Sequence, residues 1–167
     1  MLPAFVLVGA ATAVALAPHE DWPHQTGPQI MHKQDQSTPM HGTDRNDRLL
    51  GGHGNDKLYG HNGHDVIWGD YKPTGNTSRQ VDRIYGGPGA DWIYASHGRN
   101  VIYGGAGDDT IRVWFGRGKV DCGPGRDILF LSKHRSRKRV KRVNCERISF
   151  KSARQVQATG SPRTGVR

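Results

Sequence analysis

Aliphatic side chains recur every nine residues along the middle of the chain. When residues 42–130 are divided into blocks that begin at 42, 51, 60, 77, 86, 95, 104, 113 and 122, the eighth position of every block is aliphatic. These positions are Leu49, Leu58, Ile67, Ile84, Ile93, Ile102, Ile111, Val120 and Leu129. Because neighbouring side chains on a strand face opposite sides, a glycine-rich turn followed by a short strand directs one side chain per block inward. The period predicts an all-β solenoid over residues 42–130, built from about nine nonapeptides.

The turns of these blocks carry an acid at the sixth position. Three blocks, which begin at Gly51, Gly86 and Gly104, read G-G-x-G-x-D-x-U-x in full, where U is a large aliphatic residue. Two nonapeptides make one coil, so alternate turns are expected to stack on the same edge of the solenoid. The sixth residues on the first edge are Asp47, Asp65, Asp91, Asp109 and Asp127. Those on the second edge are Asp56, Asp82, Asn100 and Gly118, and this edge also carries an eight-residue insertion at residues 69–76.

Stacked carboxylates predict bound cations. Turns on neighbouring coils lie about 4.8 Å apart, so their carboxylates repel one another unless a cation lies between them. Ca²⁺ accepts about six to eight oxygen ligands in flexible geometry, and Asp side chains with turn carbonyls supply such oxygens. We predict up to four Ca²⁺ in the gaps between successive first-edge turns, and at most one on the second edge, between Asp56 and Asp82. The gap beside Asp47 is expected to be the weakest, because Arg45 replaces the fourth-position glycine.

The glycines predicted to take part in these sites are Gly63, Gly87, Gly89, Gly105, Gly107 and Gly125. Glycine supplies the positive φ angles that so tight a turn requires. The alternative is a solenoid without metal, in which the Asp side chains only accept hydrogen bonds from turn amides.

These blocks resemble the repeats of the hemolysin-type (RTX) calcium-binding proteins. The resemblance covers residues 42–130 and implies a right-handed parallel β-roll in which the sixth-position Asp residues and their glycine turns bind Ca²⁺. The segments Val120–Asp127 and Asn144–Ile148 also resemble small secreted actinobacterial members of this group. Members of the group are usually acidic, whereas the repeat region of this chain is neutral.

Residues 1–17 are predicted to be a cleaved signal peptide, so the protein is expected to be secreted. Leu2–Ala17 is a nearly unbroken apolar run, shorter than the roughly 20 residues of a membrane span. It ends in Ala15-Leu16-Ala17, a small-residue cleavage pattern. No Lys or Arg follows Met1, so a retained anchor is the alternative. Residues 18–41 show no apolar period and are predicted to be a disordered linker.

The two cysteines, Cys122 and Cys145, lie at the last block and beyond it. In a chain predicted to be secreted, an even number of cysteines suggests one disulfide, with two free thiols as the alternative. Such a bond would stabilise the fold by roughly 3 kcal/mol in the chain-entropy model. Residues 131–150 are predicted to form a basic loop and a capping strand over Val143–Phe150, and residues 151–167 a disordered tail.

The net charge of +9 originates in the C-terminal segment. Residues 42–130 contain eleven Lys or Arg and eleven Asp, whereas residues 131–167 contain twelve Lys or Arg and a single acid, Glu146. The stretch Lys133–Arg142 is either a solvated loop or a binding segment for an anionic surface or polymer. Any nucleic-acid binding by it would be non-specific and sensitive to salt.

The strands that follow the first edge are predicted to have an apolar exterior. Its residues are Val66, Trp68, Trp92, Tyr94, Ile128 and Phe130. We interpret them as a ladder that stiffens the sheet; the alternative is a protein contact through Trp68, Trp92 and Tyr94.

No catalytic arrangement stands out, so the sequence predicts a calcium-binding protein that is not an enzyme. The alternative function is a metal-indifferent solenoid that displays its basic tail and aromatic face to an anionic surface or polymer.

Overall fold

The computed structural model describes residues 23–31, 39–70, 79–95, 97–114, 116–132 and 138–150. Within these ranges the chain forms strands and no helix. The strands are β1 (Gln29–Met31), β2 (Met40–His41), β3 (Arg48–Leu50), β4 (Lys57–Tyr59), β5 (Val66–Trp68), β6 (Val81–Pro88), β7 (Trp92–Tyr94), β8 (Arg99–Ala106), β9 (Thr110–Val113), β10 (Arg117–Asp121), β11 (Ile128–Leu131), β12 (Val140–Val143) and β13 (Arg147–Ser149). In this part of the chain there is accordingly no helix that could cross a membrane.

The strands form two parallel sheets. The odd sheet has the order β1-β3-β5-β7-β9-β11-β13, and the even sheet has the order β2-β4-β6-β8-β10-β12. The chain alternates between the sheets, so turns from the even to the odd sheet make the first edge, and turns from the odd to the even sheet make the second. The fold is the predicted parallel β-solenoid, with about five turns. The count of nine nonapeptides stays a prediction.

The predicted inward side chains form the core. All nine eighth-position aliphatic residues are at most 1% exposed. In the odd sheet, the register places Leu49, Ile67, Ile93, Ile111 and Leu129 in one file. Burying one such side chain contributes about 1.5–3 kcal/mol. The core is therefore a narrow stack with one aliphatic side chain from each repeat, joined in β9 and β11 by Val113 and Leu131, and it sets the register of the turns on both edges.

The prediction of a disordered linker over residues 18–41 is wrong for the part that the structure describes. Strand β1 pairs with β3, and β2 pairs with β4. The Thr26 N–H donates a hydrogen bond to the Asn46 carbonyl at 3.1 Å. Ile30 packs against the core and Met40 is part of it. No apolar period is visible in this segment because so few of its residues reach the core.

The C-terminal segment also joins the solenoid. Cys122 and Cys145 form the predicted disulfide. The predicted capping strand is present as β13, beside β11. The prediction of a loop that continues through Arg142 is wrong, because β12 pairs with β10 and extends the even sheet. The predicted signal peptide (1–17), the tail (151–167) and residues 133–137 of the basic stretch lie outside the described residues.

The exterior of the odd sheet is less exposed than predicted. Tyr94 is only 8% exposed, and Trp68 and Trp92 are half-buried. Trp68 and Tyr94 stack with ring centroids 4.2 Å apart. The Arg112 guanidinium lies 4.9 Å from the centroid of the Trp92 ring. These contacts fit the interpretation of a stiffening ladder, and a protein contact through Trp68, Trp92 and Tyr94 stays a prediction.

Candidate metal centre

Each complete turn of the first edge directs its sixth side chain into the loop. In the turn 86–91, Gly87 and Gly89 have φ angles of 117° and 143°. A Cβ on Gly89 would lie 1.7 Å from the Gly63 carbonyl oxygen of the preceding coil. Glycine is therefore required by the backbone angle and by the close approach of the coils. The resulting loop encloses Asp91, which is 0% exposed.

The first-edge Asp residues form a continuous stack, as predicted. In four of the five, the Oδ1 atom accepts a hydrogen bond from the sixth N–H of the preceding coil. The bonds are Asp47 N to Asp65 Oδ1 (2.8 Å), Asp65 N to Asp91 Oδ1 (2.8 Å), Asp91 N to Asp109 Oδ1 (2.9 Å) and Asp109 N to Asp127 Oδ1 (2.9 Å). All five side chains are at most 1% exposed. We call this set the acidic column.

The second oxygen of four of these carboxylates has no hydrogen-bond partner. The atoms concerned are the buried Oδ2 atoms of Asp65, Asp91, Asp109 and Asp127. A buried oxygen left without a hydrogen bond costs about 1–3 kcal/mol, and more if it is charged. Because the same oxygen is unpartnered in four successive coils, a shared ligand explains the pattern better than a local defect.

Three of these oxygens, those of Asp65, Asp91 and Asp109, lie close to a carbonyl group of the following coil. A Cβ on Gly86 would lie 2.4 Å from Asp91 Oδ2 and 2.2 Å from the Gly104 carbonyl oxygen. A Cβ on Gly60 would lie 2.3 Å from Asp65 Oδ2 and 2.4 Å from the Gly86 carbonyl oxygen. Any side chain at these positions would fill a cradle that is lined by oxygen atoms of two coils. Such a donor set fits Ca²⁺, which takes hard oxygen ligands at about 2.3–2.6 Å.

The predicted ligand glycines lie against carbonyl oxygens of the preceding coil, whereas Gly60 and Gly86, which line the cradles, were not among the predicted residues. The six residues are Gly63, Gly87, Gly89, Gly105, Gly107 and Gly125. A Cβ on any of them would lie 1.7–2.4 Å from a carbonyl oxygen of the preceding coil. The second and fourth carbonyls of each turn therefore point along the stack towards the next coil. The structure thus brings these turn carbonyls to the edge that holds the acidic column.

Side chains alone do not complete a metal site. Among the described residues, no three His, Cys, Asp or Glu side chains gather into a group that could hold an ion. A cation on the first edge would therefore take much of its ligand shell from backbone carbonyls. This favours Ca²⁺ over Zn²⁺, which prefers nitrogen and sulfur ligands.

Burial raises the pKa of the carboxyl groups in the acidic column. The pKa of Asp91 is raised to about 8, that of Asp109 to about 7 and that of Asp65 to about 6. Burial is the largest cause in each case, and the neighbouring carboxylates raise these pKa values further. Without a cation, these three carboxyl groups therefore ionise only at a higher pH than usual, and below it they keep their protons. A divalent ion that displaced them would relieve both the burial cost and the repulsion.

The N-terminal end of the column differs from the rest. Oδ2 of Asp47 accepts hydrogen bonds from the Thr43 N–H and, at 3.0 Å, from the Thr43 hydroxyl. Arg45 occupies the fourth position of this turn. The oxygen that is unpartnered in the other coils is thus already engaged here. This geometry favours a weak site in the gap between Asp47 and Asp65.

The turns of the second edge stack through the same type of hydrogen bond, from a sixth N–H to an Asp Oδ1, but fewer of their sixth residues are acids. The Asp56 N–H donates to Asp82 Oδ1 at 2.9 Å. The register then places Asn100, Gly118 and Val140 at the equivalent position of the following coils. Burial raises the pKa of Asp56 to about 7, and the charge of Asp82 raises it further. The structure therefore brings one pair of acids together on this edge, as predicted.

Glu146 is a residue of the first edge that the sequence reasoning missed. The Asp127 N–H donates to Glu146 Oε2 at 2.9 Å, so a glutamate continues the column into the cap. Burial and the nearby Glu146 raise the pKa of Asp127, whereas the bond from the Asp127 N–H lowers the pKa of Glu146. A signal was present: Glu146-Arg147-Ile148 follows the acid-x-aliphatic order of a repeat, with glutamate in place of aspartate.

Comparison with known proteins identifies the repeats. Residues 41–70 and 78–111 match the model of the RTX calcium-binding nonapeptide repeat, in four copies. No curated protein and no solved structure was found to match the chain. Repeats of this kind bind Ca²⁺, and together with the disulfide they are consistent with an extracellular protein. The matched residues include four of the five aspartates of the acidic column, so the coils that build most of the column are similar to the RTX calcium-binding repeat.

Proposed function

We propose that this protein is a secreted, non-catalytic calcium-binding protein whose β-solenoid folds as Ca²⁺ fills the first edge. The observation that carries the proposal is the acidic column, with four buried Oδ2 atoms that have no hydrogen-bond partner. Up to four ions would lie in the gaps between the first-edge turns. At most one more would lie on the second edge, between Asp56 and Asp82.

Coupling between folding and calcium binding follows from the energetics of the column. The core is a narrow stack of aliphatic side chains, and folding also buries five acids beside it. A buried carboxylate is costly unless it is paired, and four of the five carboxylates are compensated within the column mainly by the hydrogen bond that each accepts from the preceding coil. Because a preformed site does not exist in the unfolded chain, the free energy of ion binding becomes free energy of folding.

The proposed compartment fits the expected affinity. Extracellular calcium modules have dissociation constants of about 10⁻⁴–10⁻³ M. A chain with such sites would stay loosely folded where calcium is scarce and would fold where it is plentiful. The disulfide between Cys122 and Cys145 supports the same assignment, because disulfides persist in oxidising compartments.

A calcium titration followed by circular dichroism tests this proposal. The full chain in chelator should gain β signal cooperatively as CaCl₂ is added, and MgCl₂ at equal concentration should produce little change because Mg²⁺ dehydrates reluctantly. Calorimetry on the same sample would count the ions. A flat calcium titration, or one that Mg²⁺ reproduces in full, would contradict the proposal.

The exterior of the even sheet supports a second candidate function, the binding of an anionic polymer. Lys57 and Arg83 lie side by side on neighbouring strands, as do Arg99 and Arg117, and all four are exposed. Asp121 on this face is paired with Lys119 at 3.2 Å. This surface, the basic face, therefore carries rows of cations at the strand spacing of about 4.8 Å, which suits a linear polyanion.

A stack of aromatic rings runs along the basic face. The ring centroids are 4.7 Å apart for His41 and Tyr59, 4.8 Å for Tyr59 and Tyr85, and 5.2 Å for Tyr85 and Tyr103. Each ring covers the face of the next, so the stack offers little surface for a nucleic-acid base. The face therefore favours recognition of repeated negative charge over recognition of bases.

Binding to immobilised heparin would test the basic face. The double variant Arg83→Glu/Arg99→Glu should elute at clearly lower salt than the parent chain, both in calcium and in chelator. The single variants Arg83→Glu and Arg147→Glu change the charge by the same amount, the first on the basic face and the second on the odd sheet, and they form the matched pair. Equal loss of retention in both variants would assign the binding to net charge rather than to this face.

A further inference from the structure

The last gap of the first edge lies between the turns 104–109 and 122–127, and one of its walls begins with a cysteine. The other four first-edge turns begin with glycine, at residues 42, 60, 86 and 104. A Cβ on Gly104 would lie 2.3 Å from the Cys122 carbonyl oxygen and 2.4 Å from Asp109 Oδ2. The backbone of Cys122 therefore supplies one of the oxygens that line this gap.

The C-terminal cap holds both ends of the turn 122–127. Its first residue, Cys122, is 0% exposed and is bonded to Cys145. Its sixth residue, Asp127, donates its N–H to Glu146 Oε2 at 2.9 Å. Two consecutive cap residues, Cys145 and Glu146, thus fix the two ends of one turn.

This turn depends on the cap because no complete glycine turn follows it. The turn 86–91 is flanked on both sides by six-residue turns of the same kind, at 60–65 and 104–109. After 122–127, the connection between β12 and β13 consists of residues 144–146 alone. The disulfide and Glu146 therefore hold this turn in place, as a following repeat holds each of the other first-edge turns.

We propose that the last gap is a redox-dependent calcium site. In this assignment, which rests on the proposed function above, an ion between Asp109 and Asp127 requires the Cys122–Cys145 disulfide. The disulfide keeps the Cys122 carbonyl oxygen in the wall of the gap, and Glu146 keeps Asp127 in register with it. The site is then complete only in the oxidised chain.

The chemistry of the switch is thiol–disulfide exchange. A dithiol reductant donates two electrons and two protons, which converts the disulfide into two thiols while the reductant becomes a disulfide. The reverse step, in an oxidising compartment, closes the cap. Cys122 and Cys145 are the two cysteines of the chain, so a reductant has no other disulfide to act on.

Calorimetric titration of the full chain with CaCl₂, before and after reduction by dithiothreitol, tests the proposal. Reduction should remove one ion from the count, or weaken one site about tenfold or more, and leave the other first-edge sites unchanged. A β signal retained in saturating calcium would show that the reduced chain is still folded.

Three positions are varied to distinguish an effect on calcium binding in the last gap from an effect on the stability of the whole fold. Asp127→Asn removes a carboxylate of this gap, so reduction should no longer change the ion count. Glu146→Ala removes the acceptor for the Asp127 N–H and should weaken only the last site, whereas Glu146→Gln keeps an acceptor oxygen and should retain that site. Asp121→Asn is the matched control, because it removes an acid that faces Lys119 and Asn144 rather than the column.

The outcomes are distinguishable. If the oxidised chain binds no calcium, the proposed function itself fails. If it binds calcium with the same count and affinity after reduction, only the redox-dependent site is refuted. Uniform weakening of every site, with loss of β signal, would assign the disulfide to the stability of the whole solenoid and would also overturn the proposal.

Discussion

The two edges of this solenoid share one backbone pattern and differ in the chemistry of one position. Both stack their sixth residues along parallel strands, and both use the bond from a sixth N–H to an Asp Oδ1. The first edge keeps Asp in five successive coils. The second edge replaces it with Asn100, Gly118 and Val140 and still stacks in register. Stacking therefore does not require a carboxylate, and the buried charge of the first edge is better explained by a ligand than by the fold.

The strongest test of this comparison pairs Asp91→Asn with Asn100→Ala. Asp91 borders two gaps, and the amide oxygen of asparagine can still accept the Asp65 N–H. Each lost ion costs about 2.7 kcal/mol when free calcium is 100-fold above the dissociation constant, so Asp91→Asn should cost about 5 kcal/mol in calcium. In chelator the sign should reverse, because the variant no longer buries that carboxylate.

Urea unfolding in calcium and in chelator would measure both effects. Asn100 borders no predicted ion, so Asn100→Ala should leave the number of bound ions unchanged. The Asn100 side chain is buried, so its removal will lower the stability of the fold to some extent. Equal losses of bound calcium in Asp91→Asn and Asn100→Ala would refute the division into an ion-binding edge and a structural edge.

The nine-residue period of the sequence was sufficient to predict the core and the assignment of each aspartate to an edge. One aliphatic residue per block fixes which side chains point inward. The two-block coil then fixes which aspartates share an edge. Both inferences need only the alternation of side chains on a strand and the size of a turn, so the acidic column could be predicted residue by residue.

The ends of the solenoid could not be predicted in this way. The N-terminal coil replaces the sixth-position Asp with Pro28, which is bonded through its carbonyl oxygen to the Arg48 N–H, and no repeat marks it. At the other end, Glu146 joins the column from a turn too short to match the repeat. In both places tertiary pairing with a regular neighbour, rather than a local pattern, decides the structure. The half-buried state of Trp68 likewise depends on contacts between coils.

The pH dependence of the calcium-free protein is the second prediction. The folded-state pKa values of Asp65, Asp91 and Asp109 are raised to between about 6 and about 8, whereas an unfolded Asp titrates near 3.9. A raised pKa gives stability that is complete below the unfolded value and is lost as pH rises through the folded value. The chelated protein should therefore lose stability between about pH 4 and pH 8, by at most about 1.4 kcal/mol per pH unit for each such carboxyl.

Urea unfolding in chelator at pH 5, 7 and 9 would measure this slope. Saturating calcium should remove most of it, because the ion takes the place of the protons. Asp91→Asn should flatten the slope more than Asp56→Asn, since Asp91 has the higher pKa. A chelated protein that becomes more stable as pH rises would contradict the assignment of buried, protonated carboxyl groups to the first edge.

The smallest expected effect is the gain of one calcium site on the second edge in the variant Asn100→Asp. The register places this residue beside Asp82, and Asn100 is 2% exposed, so the change buries one more carboxylate next to an existing one. In chelator the variant should be less stable than the parent chain, because two acids then meet without a cation. In calcium it should bind about one additional ion and recover at most about 2.7 kcal/mol at 100-fold excess over the dissociation constant. If the variant loses stability in chelator but gains no ion, a carboxylate pair is insufficient. Calcium binding then also requires the complete glycine turns, which the sequence lacks at residues 77–82 and 95–100.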